Sequence, residues 1–142
     1  AVTGVQTCAL PISHFDNKVV MTPNKMPMRW SHLEELAKRG HIIGAHTMDH
    51  YMVNSTNETI LKYQIETCKG IIENKLGKPC AYFAFPYGKL TQANEISINI
   101  AANKYKFVFS QSDYKNYFSF DGKVINRRHF EPFWPKKHVF YF

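Results

Sequence analysis

An α/β fold built on a parallel sheet is what this sequence predicts, and three observations carry it. Short apolar or aromatic runs at about 41–46, 80–85 and 106–110 alternate with helical stretches, most of them ten residues or longer. That alternation is the pattern of successive βαβ units. The longest helical stretch places Leu61, Ile65, Cys68, Ile72 and Leu76 at spacings of three and four, the period of a helix with one buried face. With 142 residues, the chain has room for one domain and a modest core.

Each element has its own justification. Residues 14–28 are polar and interrupted by Pro23 and Pro27, which reads as loop. Ser31 and Glu34 then form a capping box, and Leu33, Leu36 and Ala37 give the first helix its apolar stripe. Gly40 suits the C′ position that ends it. Ile42 and Ile43, between Gly40 and Gly44, make a short buried strand over 41–46. Asn54 to Asn57 can cap a helix over 57–76 that stops at Gly77 and Pro79. On its stripe Cys68 reads as a small core residue.

Cys80 to Phe85 is an aromatic strand opening into Pro86-Tyr87-Gly88. A helix over 91–103 with Ile96 and Ile100 on one face follows, then a strand over 106–110 and a loop over 113–121. A last strand is expected over 124–130. Phe130 to Phe142 is aromatic, broken by Pro132 and Pro135, and carries no clear closing element.

Composition removes several classes. A hydrophobic fraction of 44% and an aromatic fraction of 15% belong to a globular chain. No run approaches the ~20 apolar residues of a membrane span, and no segment has signal-peptide architecture. The net charge of +7 would suit nucleic acid or an anionic polymer. Its cations are scattered, however, with only pairs such as Arg127-Arg128 and Lys136-Lys137, so no nucleic-acid partner is expected. Cys8, Cys68 and Cys80 form neither a CxxC nor an even disulfide framework.

The stretch with chemical content runs from Gly40 to His50, Gly-His-Ile-Ile-Gly-Ala-His-Thr-Met-Asp-His. His46 and His50 stand four apart, so a helical turn after the strand would aim both imidazoles the same way. Two convergent neutral imidazoles are half of a zinc-type site. Two solvated or core histidines are the alternative, and spacing alone leaves both open. No G-x-S-x-G elbow surrounds Ser97, Ser110 or Ser112, which disfavours a serine hydrolase. No phosphate-cradling glycine motif is present either.

This stretch resembles the H-[ST]-x-x-H motif of the NodB-homology polysaccharide deacetylases, carbohydrate esterase family four. Phe83-Ala84-Phe85-Pro86-Tyr87-Gly88 is similar to that family's FAYPYG loop, and Met28-Arg29-Trp30-Ser31 to its "MTW" segment. The likeness covers about residues 14–130. It implies part of a distorted (β/α) barrel and hydrolysis of N-acetyl groups from a carbohydrate polymer or glycan. His46 and His50 would be metal ligands, with zinc the expected ion and cobalt or another divalent ion as substitutes. Thr47 would orient the loop by hydrogen bonding, and the Tyr87 N–H would help hold the oxyanion. Pro86 and Gly88 would shape that turn. Ala84 stands where many members have an arginine, and Arg127, from the Arg127-Arg128 pair, would supply one from a later strand. An extracytoplasmic or cell-envelope location follows from the family.

The chain also departs from the family's pattern. Phe15-Asp16-Asn17 superficially resembles the first motif, whose aspartates serve as base and metal ligand. A βαβ unit of about 30 residues or more normally separates that motif from the histidines, and Asp16 lies too near His46 to allow one beside the first helix. Asp16 is therefore read as a loop residue. His129 and His138 lack the leucine context of the late histidine motif. Residues 1–13 match no family segment and resemble the translation of a sequencing-library adapter, leaving 14–142 as a partial deacetylase domain. Asp49, at a variable motif position, reads as a solvated or turn-forming carboxylate. The rival readings are a metal- or glycan-binding pseudoenzyme and, more remotely, a basic nucleic-acid-binding domain.

Overall fold

Local signals in the chain set the helix ends, and the sheet then collects the strands between them. The computed structural model describes residues 28–87, 92–110 and 116–127. Its elements run α1 (Trp30–Lys38), α2 (Glu58–Lys62), a π-helical turn (Tyr63–Thr67), α3 (Cys68–Leu76), β1 (Tyr82–Ala84), α4 (Glu95–Lys104), β2 (Phe107–Ser110), β3 (Phe118–Ser119) and β4 (Val124–Asn126). Asn57 caps α2, its side chain accepting from Thr59 N at 3.0 Å and Ile60 N at 3.3 Å. Gly77, at φ 62°, ends α3 in the left-handed conformation that glycine enters without penalty. Asn94 and Ser97 form a reciprocal capping box at the start of α4.

The sheet order is β1-β2-β4-β3. β1 pairs with β2 and β2 with β4 in parallel, while β3 and β4 form an antiparallel hairpin. On the other side of β1, Ala45 makes a single parallel bridge to Phe83. Ala45 N donates to Tyr82 O at 2.8 Å and Ala84 N to Ala45 O at 2.9 Å. Among the described residues the sheet is open. One face carries Phe83 and Val108 against the helices, where Leu61, Ile65, Cys68, Ile98 and Ala101 are buried with them. Phe83, fully buried, touches Phe85 and Tyr105 with ring centroids 5.0 Å away in each case. A phenylalanine so placed contributes about 1.5–3 kcal/mol of hydrophobic free energy. The opposite face stacks Tyr82 on Phe107 at 5.1 Å and on Phe109 at 6.4 Å.

Several expectations are corrected. Helix α1 begins at Trp30 with Arg29 as its N-cap residue, and Arg29 N donates to His32 Nδ1 at 3.2 Å. Ser31 and Glu34 therefore lie inside the helix and form no capping box. The strand expected over 41–46 shrinks to the Ala45 bridge, because among the described residues only Ala45 exchanges ladder bonds with β1, and the left-handed Thr47 ends the run two residues on. The helix over 57–76 keeps its buried stripe but widens into a π-turn at Tyr63–Thr67, and the Ile65 carbonyl there accepts from the Tyr105 hydroxyl at 2.6 Å.

Helix α4 starts at Glu95, not 91, and docks through Ser97, Ile98 and Ala101; Ile96, two residues before Ile98, is turned to solvent. The loop over 113–121 contains β3, whose hairpin turns on Phe120, Asp121 and Gly122, all at positive φ. Asp121-Gly122 is itself a hairpin signal. Strand β4 ends at Asn126. Cys68 is the core residue expected, its thiol pushed up to about 12 by burial. The segment 1–27, with Cys8 and Asp16, and residues Gly88, Arg128, His129 and His138 lie outside the described residues.

Candidate active site

The Ala45 bridge delivers His46 to the end of β1. There His46 Nδ1 meets the Ala84 carbonyl oxygen at 2.7 Å. A carbonyl can only accept, so Nδ1 carries the proton and the lone pair sits on Nε2. Burial first, opposed by the Ala84 bond and aided by the charges of His50 and Arg127, draws the His46 pKa down to about 4. At neutral pH the ring is therefore uncharged, in the tautomer that offers Nε2 to an electrophile. The His50 ring lies 5.0 Å from it, centroid to centroid, at 67°. Tyr87 also packs against His50, at 4.7 Å and 73°.

No helical turn links the two histidines. Thr47 at φ 66° and His50 at φ 53° are left-handed, as is Tyr87 at φ 65°. These are three of the five non-glycine residues at positive φ among those described. Such a conformation costs on the order of 1–3 kcal/mol at each residue and persists only where the surroundings enforce it. For a β-branched threonine it is a genuine outlier. The enforcement is visible. Thr47 is 2% exposed, and its Oγ1 accepts from Tyr51 N at 3.2 Å. Cys68 Sγ donates to Thr47 O at 3.4 Å. Gln64 Oε1 accepts from Met48 N at 3.2 Å and Asp49 N at 3.1 Å, while its Nε2 donates to an Asp49 carboxylate oxygen at 2.8 Å. Asp49 is exposed and in the turn, as expected, and in addition is held by Gln64.

The remaining expected residues gather at the same end of the sheet. Pro86 is buried and Tyr87 is 44% exposed; the Tyr87 N–H has no acceptor among the described residues. Arg127 follows β4, where its N and Nε both donate to Ser110 O at 2.9 and 3.3 Å. Its guanidinium lies over the Phe109 ring at 5.5 Å. Two participants had escaped the sequence reading. The Ala84 carbonyl had no side-chain signal, whereas Gln64 had a weak one, a polar residue on the face of Leu61, Ile65 and Cys68.

Among the described residues no three His, Cys, Asp or Glu side chains come together. His46 and His50 nonetheless fit two positions of a divalent metal site. His46 is neutral and half-buried, its Nδ1 is tied to a carbonyl in the way metal-bound histidines are oriented, and its partner ring is adjacent.

A family model described as polysaccharide deacetylase matches residues 13–106. The chain belongs to the polysaccharide deacetylase family. Solved structures agree on the fold. The deacetylase PplD of Streptococcus pyogenes, determined in complex with acetate, is similar at 16% identity and a TM-score of 0.63, over 82% of this chain and 51% of that one. IcaB from Ammonifex degensii is similar at 19% identity and a TM-score of 0.61, over 78% and 51%. The de-N-acetylase from Aggregatibacter actinomycetemcomitans follows at 16% and 0.60, over 83% and 57%. The chain thus spans about half the length of these structures. No curated protein matches it at a comparable level.

Proposed function

We propose that this polysaccharide deacetylase chain carries part of a metal-dependent site that hydrolyses N-acetyl groups on a carbohydrate polymer or glycan. The observation that supports it best is the His46–His50 pair, 5.0 Å apart, with His46 held as the Nδ1–H tautomer on Ala84 O. His46 and His50 would hold the ion, zinc first, with cobalt or another divalent ion as substitutes. A divalent ion there supplies Lewis acidity to the amide carbonyl and lowers the pKa of water. The Tyr87 N–H, aimed by a left-handed turn after the buried Pro86, is the donor for the developing oxyanion. Donors of this kind contribute about 2.7–4 kcal/mol in comparable hydrolases. Arg127 lies near enough to lower the His46 pKa, hence near enough to favour negative charge building in the site. Thr47 fixes the loop through its hydrogen bond to Tyr51 N, and the expected turn-shaping role of Gly88 is part of the proposal. The open, mixed sheet is taken as part of a distorted barrel, and the location as extracytoplasmic or cell-envelope.

The test is acetate release from N-acetylglucosamine oligomers, with chelator and with zinc or cobalt restored. Turnover lost with chelator and regained with metal is the expected result. No turnover under any metal, with metal still bound, points to the second reading, a pseudoenzyme that binds without cleaving. What favours that reading is that no acidic side chain joins the histidine pair in a group of three among the described residues. The base and third ligand would then be missing from the site.

A further inference from the structure

We infer that Gln64 is the positioning residue for the histidine pair, acting through the three-residue link between His46 and His50. The inference rests on the reading of those histidines as metal ligands. Gln64 is 4% exposed, in a π-helical turn whose other buried residue is Ile65. A buried amide must satisfy its oxygen and nitrogen or incur the full desolvation cost. This one does so entirely on the loop: one oxygen takes the consecutive Met48 and Asp49 N–H groups, and the nitrogen binds the Asp49 carboxylate.

Gripping two successive amides and the following side chain fixes the peptide planes between Thr47 and His50. Those are the planes that decide where the His50 ring points, because both Thr47 and His50 sit at positive φ, a conformation they do not hold unaided. The π-turn is the local device, since such turns re-aim side chains and recur at functional sites. Cys68, four residues on, adds a weaker hold on Thr47 O. Gln64 bonds to Met48 and Asp49 and not to either histidine, so its effect on the metal is indirect.

Visible-band Co²⁺ titration of the full chain decides the matter, with four variants beside wild type. His46→Ala tests the underlying site. Gln64→Leu removes both halves of the grip and is expected to weaken Co²⁺ binding about 10- to 100-fold, the range for residues that orient metal ligands. The double variant Gln64→Glu/Asp49→Asn exchanges donor and acceptor across the 2.8 Å contact, keeps the net charge and leaves an oxygen for the two amides. Its affinity is expected to return to within about threefold of wild type. Gln64→Glu alone keeps the shape but sets two carboxylates against each other across that contact, and is expected to bind Co²⁺ at least about tenfold more weakly, where a role in packing alone predicts wild-type affinity.

If wild type binds no Co²⁺, or binds it as tightly as His46→Ala does, the metal reading falls and this inference with it. If wild type binds through His46 but Gln64→Leu matches it, Gln64 is not the positioning residue and the metal reading stands. Should the leucine variant not fold, the near-isosteric variants decide: a double variant more than tenfold below wild type, or Gln64→Glu alone at wild-type affinity, overturns the inference.

Discussion

Acidification between pH 6.5 and 4 should destabilise the metal-free protein through His46, and the size of the effect follows from its surroundings. Burial holds the folded-state pKa at about 4, against 6.5 for a free histidine. In that window the unfolded chain binds a proton that the folded one refuses, so stability rises with pH and is lost as pH falls. The gap of about 2.5 units at 1.36 kcal/mol each amounts to roughly 3 kcal/mol. Other groups titrate too, so the assay compares urea unfolding of wild type and His46→Asn in chelator at several pH values. Asparagine keeps a donor near the Nδ1 position for Ala84 O but does not titrate. The stability difference between the two should shrink or invert by about 3 kcal/mol on going from pH 7 to pH 4. A difference that stays flat would refute the argument that the fold holds His46 neutral.

Three further outcomes are expected. Tyr105→Phe removes the 2.6 Å bond from the Tyr105 hydroxyl to the Ile65 carbonyl, at a cost of about 0.5–1.5 kcal/mol by thermal or urea denaturation. Gly44→Val places a Cβ 3.1 Å from Tyr82 O and 3.2 Å from Tyr82 Cβ; prising the Ala45 bridge from β1 should cost about 1–3 kcal/mol and weaken Zn²⁺ binding, read by calorimetry. Zn²⁺ at a hundred times its dissociation constant should stabilise the wild type by about 2.7 kcal/mol, with no stabilisation in His46→Ala and full reversal by chelator.

The parts of this molecule legible in sequence were those set by local signals. The stripe from Leu61 to Leu76, the Asn57 cap and the Gly77 stop are written within one turn of where they act. The histidine motif and the Phe-Pro-Tyr loop were recognisable as segments, and the fold brings both to one end of the sheet. What the sequence hid depends on distant partners. His46 and Ala84 meet across 38 positions and Gln64 and Asp49 across 15, separations at which no periodicity reports. The left-handed Thr47 and His50 were also hidden, because neither residue type announces a positive φ. A four-residue spacing between histidines suggested a helix, yet here a bent loop, clamped from behind, brings the rings together.

The most direct test of the central claim is zinc-edge X-ray absorption on the zinc-loaded chain. The account predicts two imidazole nitrogens at about 2.0–2.1 Å, both lost when His46 and His50 are replaced by alanine. A spectrum without imidazole scattering, or one that the double replacement leaves unchanged, would contradict it.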